Sequence, residues 1–317
     1  MIIKQIYIWT LGIFLTYLFI LIGLNITGPD YKSYTNAAEL SVTQNFFKLR
    51  EILSWSIIDL FTRIDSNIDY FGLKIFSSVL FSLLFFYSFQ LIKEEIINKK
   101  FNHESLSGVK IILFVLTFFV CLTPYVNLLA LSALRQGLAL VFLVIMIISM
   151  TKNKFLFSLF FFLLAVICHN SALIFLPLFV LKLFKSYKFR FLLISSALVI
   201  YLFLSFMIPF QPSVDNDNRL IYGVFSILCL SIFIIKRKNF SECDLLLITG
   251  IFLTLPFFNL ESYYDRLGLY AAFFGSILVS KKIITTGPRT ISFIIAVMAL
   301  LFSFLIVASI TYPPLIA

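Results

Sequence analysis

Charge is scarce in this sequence. Only 13% of its residues are Asp, Glu, Lys or Arg, against 61% that are hydrophobic. Soluble globular domains carry about 25% charged residues, so water cannot be the solvent for most of these side chains. No polar stretch of soluble-domain length interrupts the 317 residues, and no linker, low-complexity tail or fixed-period repeat stands out. The chain therefore reads as one membrane domain, residues 1–317. Histidine is rarer still, with only His103 and His169. Four cysteines, Cys121, Cys168, Cys229 and Cys243, lie in or beside apolar runs, and no pair has metal-ligand spacing. Neither a metal centre nor a cofactor is expected. The net charge of +10 does not point to nucleic acid, because the basic residues form short clusters between apolar runs, where they set topology. No small-residue cleavage site follows the apolar run Gln5–Leu24, so it reads as an uncleaved first span.

What remains is apolar and aromatic. Phe alone contributes 40 residues. A span needs ~20 apolar residues, with ~17 tolerated. On that criterion the expected fold is all-α: a polytopic membrane helical bundle of about eleven transmembrane helices. The spans fall near 5–24, 71–92, 109–127, 131–150, 152–168, 170–187, 190–208, 220–235, 244–260, 264–280 and 291–311. The uninterrupted apolar run Phe155–Leu181 could be one long helix or two short ones. Charge decides between them. With two spans and a cytoplasmic N-terminus, the clusters Lys99–Lys100, Lys152–Lys154, Lys182–Arg190, Lys236–Lys238 and Lys281–Arg289 all fall inside. One span would put the last two outside. The expected arrangement is an inner-membrane protein with its N-terminus cytoplasmic and its C-terminus external.

The external basic residues are then Lys32, Lys48, Arg50, Arg63, Lys74, Arg135, Arg219 and Arg266, mostly Arg, whereas Lys dominates inside. Arg is preferred where a planar fork grips phosphate or carboxylate. Ionisable groups within or at the mouth of a membrane bundle are costly, so three merit scrutiny. Arg135, beside Gln136 and Gly137, either snorkels to external headgroups or belongs to a packed polar site. His169, followed by Asn170 and Ser171, either caps the next helix or serves as a general base or phosphate donor. Arg266 lies four before Tyr270 and so shares its helix face, while Asp265 beside it suits a helix start. The long first external loop, about 25–70, carries Asp30, Tyr31 and Tyr34, and Glu51–Phe61 within it reads as an amphipathic helix lying in the interface. Asp30, Arg135, His169, Arg219, Asp265 and Arg266 thus share one leaflet on this topology.

The pattern Arg135-Gln136-x-Leu138-Ala139, then a span, a basic turn and His169-x-Ser171-Ala172, resembles the EpsG-like branch of the Wzy-type polysaccharide polymerases. Asp30-Tyr31-x-x-Tyr34 and Asp265-Arg266-x-x-x-Tyr270 also look like that family. The resemblance implies an enzyme that joins repeat units carried on undecaprenyl pyrophosphate, at the external face of the inner membrane, into O-antigen, capsule or exopolysaccharide. It implies His169, Arg135 and Arg266 as catalytic residues. Asp30, Tyr31, Tyr34, Gln136, Ser171, Arg219, Asp265 and Tyr270 would bind substrate. A flippase and a chain-length regulator would be its partners besides the bilayer. O-antigen ligases, membrane acyltransferases and transporters of lipid-linked sugars are the competing classes. Ligases tend to carry a large late external loop, and transporters bind near the midplane.

Overall fold

A computed structural model describes residues 2–28, 31–36, 51–64, 70–98, 133–183, 241–254 and 264–285, with positions 122–123, 126–127, 129–131, 192, 196 and 199. Among them every regular element is helical: α1 (Ile2–Gly23), α2 (Ile52–Thr62), α3 (Phe71–Asn98), α4 (Leu134–Thr151), α5 (Phe155–Cys168), α6 (Pro177–Leu183), α7 (Glu242–Thr254) and α8 (Tyr264–Thr285). Residues 31–36 are also helical, and a 3-10 turn, Asn170–Phe175, precedes α6. Two of the described helices are long and apolar enough to cross a bilayer, Phe71–Ile92 within α3 and Leu134–Thr151. The expected spans 220–235 and 291–311, most of 109–127 and 190–208, Asp30, and the loop carrying Arg219 lie outside the described residues.

The chain forms two compact units. The first comprises Met1–Leu91 with Val126–Leu173, the second Ile92–Tyr125 with Ile174–Ala317. In the first, α4 packs along α5, and α2 lies against both. The turn between α4 and α5 follows from its sequence. Asn153 adopts φ 57°, a left-handed conformation Asn tolerates better than most residues, and the Lys154 N–H then reaches the Ser149 carbonyl at 2.9 Å. Lys152–Lys154 is therefore a tight basic turn, as charge patterning suggested. Gly137 is required where α4 begins, because a Cβ there would stand 2.8 Å from both the Leu129 carbonyl oxygen and a Leu80 methyl. In the second unit α7 packs along α8, and Phe175 meets Tyr270 and Phe274 edge-on at 5.4 and 5.5 Å.

Outer faces of the first unit are greasy. Trp9, Leu15 and Phe19 of α1, and Leu156, Phe157 and Phe160 of α5, are all exposed. Water does not sustain apolar faces of this kind, whereas lipid does. Several buried hydroxyls are satisfied within their own helices, as a bilayer demands. The buried hydroxyls of Ser78, Ser88, Ser276 and Ser280 each donate back to the carbonyl four residues earlier.

The apolar run beginning at Phe155 is not one helix. α5 stops at Cys168, His169 is extended (φ −156°, ψ 120°), and Pro177 opens α6, where its missing N–H costs nothing. The break places a histidine at the end of one helix and Ser171 in the turn that follows.

Candidate functional site

Helix α5 ends with carbonyls that have no partner within the helix. One of them, on Cys168, accepts a hydrogen bond from the hydroxyl of Ser54 at 2.8 Å. Ser54 sits in the first turn of α2 and also lies 2.9 Å from the Glu51 carbonyl. This buried serine therefore fastens the head of α2 to the tail of α5. Glu51, just before α2, is carried to the break at His169.

Glu51 adopts φ 64° and ψ 34°. Such left-handed backbone in a residue other than glycine costs roughly 1–3 kcal/mol and persists only when its surroundings hold it. Here its side chain is held from two sides. One carboxylate oxygen, Oε2, accepts a hydrogen bond from Nη1 of Arg135, from the first turn of α4. The other, Oε1, lies 3.6 Å from Nε2 of His169. Only about 11% of the Glu51 side chain is exposed and 7% of that of His169, so both work away from bulk water.

Each donor is itself oriented. The Arg135 guanidinium lies 4.7 Å above the Trp55 ring, a cation–π contact. Trp55 is in turn met edge-on by Tyr34 at 5.7 Å. The His169 ring has its Nδ1 2.5 Å from the Ser171 hydroxyl and 3.3 Å from the Ser171 backbone N–H. A backbone N–H can only donate, so Nδ1 is the accepting nitrogen, and a neutral ring carries its proton on Nε2, facing Glu51. The Nε of Arg135 is buried and has no hydrogen-bond partner among the described residues.

The structure thus brings together Arg135, His169, Ser171 and Tyr34 of the residues singled out from sequence, with buried Gln136 beside Arg135 in α4. Tyr31 is fully buried, its hydroxyl tied to Ser77, and burial pushes its phenol up to about 12. It braces the fold as a neutral group. Asp265 and Arg266 lie in the first turn of α8, in the second unit, and Tyr270 on the same helix is fully buried.

Glu51, Ser54 and Trp55 join the site although the sequence presents them only as members of an amphipathic helix. The available signal was the scarcity of acid, 15 residues against 25 basic ones, with one carboxylate at the head of an apolar helix. A second charged cluster was also missed. In the second unit Lys281 and Asp244 form a fully buried ion pair at 2.6 Å. Asp244 and Ser241 cap the start of α7 reciprocally, the Ser241 N–H to Oδ2 at 3.1 Å and the Asp244 N–H to the serine oxygen at 3.3 Å. Lys182 pairs with Glu242 in the same turn.

Apolar exterior faces, internally satisfied hydroxyls and a part-buried Arg–Glu–His cluster define a helical membrane protein with a polar site set into it. The EpsG family model matches residues 8–315, nearly the whole chain, and the chain belongs to that family, a group of membrane proteins of polysaccharide biosynthesis. No curated protein and no solved structure matches it.

Proposed function

We propose that this chain is a membrane glycosyltransferase that polymerises oligosaccharide repeat units carried on undecaprenyl pyrophosphate, working at the external face of the bacterial inner membrane. One observation carries the reading within the family. Arg135 and His169 come from separate segments and aim their donors at the same acidic group. A diphosphate leaving group presents the same need.

In the proposed reaction a sugar hydroxyl of one lipid-linked unit attacks the anomeric carbon of another chain. The new glycosidic C–O bond forms as the bond to the diphosphate oxygen breaks. Charge then develops on the diphosphate. Pre-oriented donors in a poorly solvated site stabilise such charge without reorganising. Arg135 supplies a fixed cation and His169 an Nε2–H. The sequence pattern separately offers Arg266 and Arg219 as further cations and Asp30 and Asp265 as acids for the substrate, without a position relative to this cluster. Tyr34, itself buried, braces Trp55, and the Trp55 ring seats the Arg135 guanidinium.

The test is product length. Deleting the gene should leave single repeat units on their lipid or on the acceptor core, and the intact gene should restore the ladder. Full-length glycan stranded on undecaprenyl pyrophosphate would point to a ligase. Repeat units trapped on the cytoplasmic side would point to a flippase.

A further inference from the structure

The Glu51 carboxylate is held as a bound phosphate is held. One oxygen faces a guanidinium and the other an imidazole N–H, and an aromatic ring closes over the cation. Its backbone is in the left-handed region, which a glutamate leaves downhill. Arg135 keeps a further buried donor, Nε, with no partner among the described residues. Glu51, with one oxygen on Nη1 and the other turned to His169, leaves that Nε unmet, whereas a diphosphate has oxygens enough to reach all three donors at once. Two anions cannot share it at this spacing, because like charges in a desolvated site repel strongly.

We infer that Glu51 is a catalytic residue with two positions. In the resting protein its carboxylate holds the place of the substrate's diphosphate between Arg135 and His169, and the diphosphate exchanges for it on binding. The displaced carboxylate then accepts the proton of the attacking hydroxyl. His169 cannot do so in this arrangement, since Nδ1 is taken by the Ser171 N–H and Nε2 already carries its proton. The step balances. The hydroxyl oxygen bonds to the anomeric carbon, its proton goes to Glu51, and the electron pair of the broken bond leaves with the diphosphate. This inference rests on the polymerase reading for the proton, but the exchange itself needs only a diphosphate ligand.

The test uses the full chain, purified into lipid nanodiscs, with inorganic pyrophosphate and undecaprenyl pyrophosphate as probes. Glu51→Gln removes the competing charge. It should bind both probes at least about 10-fold more tightly than the natural protein, while Arg135→Gln loses binding. The same Glu51→Gln should lower turnover on lipid-linked repeats by roughly 100-fold or more, the usual worth of a positioned base, and Glu51→Asp should recover part of it. In the unsubstituted protein, pyrophosphate should raise labelling of Glu51 by a water-soluble carbodiimide, read by mass spectrometry. Unchanged or weaker binding in Glu51→Gln, or labelling that does not rise, would overturn the exchange and leave Glu51 as a strut for Arg135. Near-normal turnover in Glu51→Gln would overturn proton acceptance. Tighter binding in a protein that never extends a glycan would refute the polymerase reading and leave the exchange standing.

Discussion

Replacing Arg135 with lysine isolates the value of the guanidinium fork. The substitution keeps a positive charge that can still reach Glu51, and it keeps some attraction to the Trp55 ring. It removes the plane that stacks on that ring and the second donor, the buried Nε. A lost hydrogen bond to a charged group is worth about 1.5–3 kcal/mol. If that bond is made to the developing diphosphate, the loss appears in turnover. At 1.36 kcal/mol for each tenfold, the expected fall is about 10- to 150-fold. The assay is repeat-unit polymerisation by purified protein, with glycan ladders from cells alongside and immunoblots to equalise protein level. Polymer should shorten or vanish while the protein stays at its normal abundance. Full activity in Arg135→Lys at equal abundance would mean that a point charge suffices and that bidentate recognition is the wrong chemistry. Loss of the protein itself would assign Arg135 to folding, through its tie to Glu51.

His169→Ala should reduce turnover far more than binding of lipid-linked donor, and His169→Gln should retain part of the activity, because an amide N–H can stand where Nε2 stands; equal activity in the alanine variant would reduce the imidazole to a cap. Polymerisation should continue in excess EDTA, and inhibition reversed by magnesium would show that a divalent ion neutralises the diphosphate. Lys281→Met should destabilise the protein by about 3–5 kcal/mol, since it strands Asp244 in a dry interior, and adding Asp244→Asn should recover much of the loss in detergent melting curves; no change in melting would show that the pair is solvated. Cysteine labelling should reach positions near Lys99, Lys152, Lys185, Lys238 and Lys282 from the cytoplasm and those near Lys48, Gln211 and Glu261 from outside, and external labelling near Lys238 would break the two-span reading of 152–187.

Helix class and the break after Cys168 were legible because the forces behind them are local. Apolar runs report their solvent, Lys-Asn-Lys reports a turn, and a Cys-His-Asn-Ser step inside a greasy run reports an end. Arg135 and His169 could be singled out because charge in an apolar chain has to be explained. Glu51 could not, because its importance is made by a distant contact. Ser54 donating to the Cys168 carbonyl is what sets the carboxylate beside the imidazole, and the scarcity of acid, which marks Glu51 as unusual, does not name that partner. Two basic residues hide a partner in the same way. Lys74 and Lys281 read as topology charges in the sequence, yet both are buried, the first donating to Asn25 at 2.8 Å and the second paired with Asp244. Charge counting sees sign and position but not the partner that desolvates a group.

The brevity of α5 has a mechanical consequence. Its 14 residues rise about 21 Å, well short of the ~30 Å thickness of bilayer hydrocarbon. Where such a helix crosses, the lipid around it must compress or the residues flanking it must stretch toward the headgroups. Lys152 and Lys154 at one end can stretch; His169 at the other, pinned by Ser171 and facing Glu51, cannot. A bilayer crossed by α5 would then be drawn thin on the His169 side. On the proposed function, a polyprenyl carrier tethered by its tail would meet the site at the floor of that dimple and not have to be lifted out of its own leaflet to react.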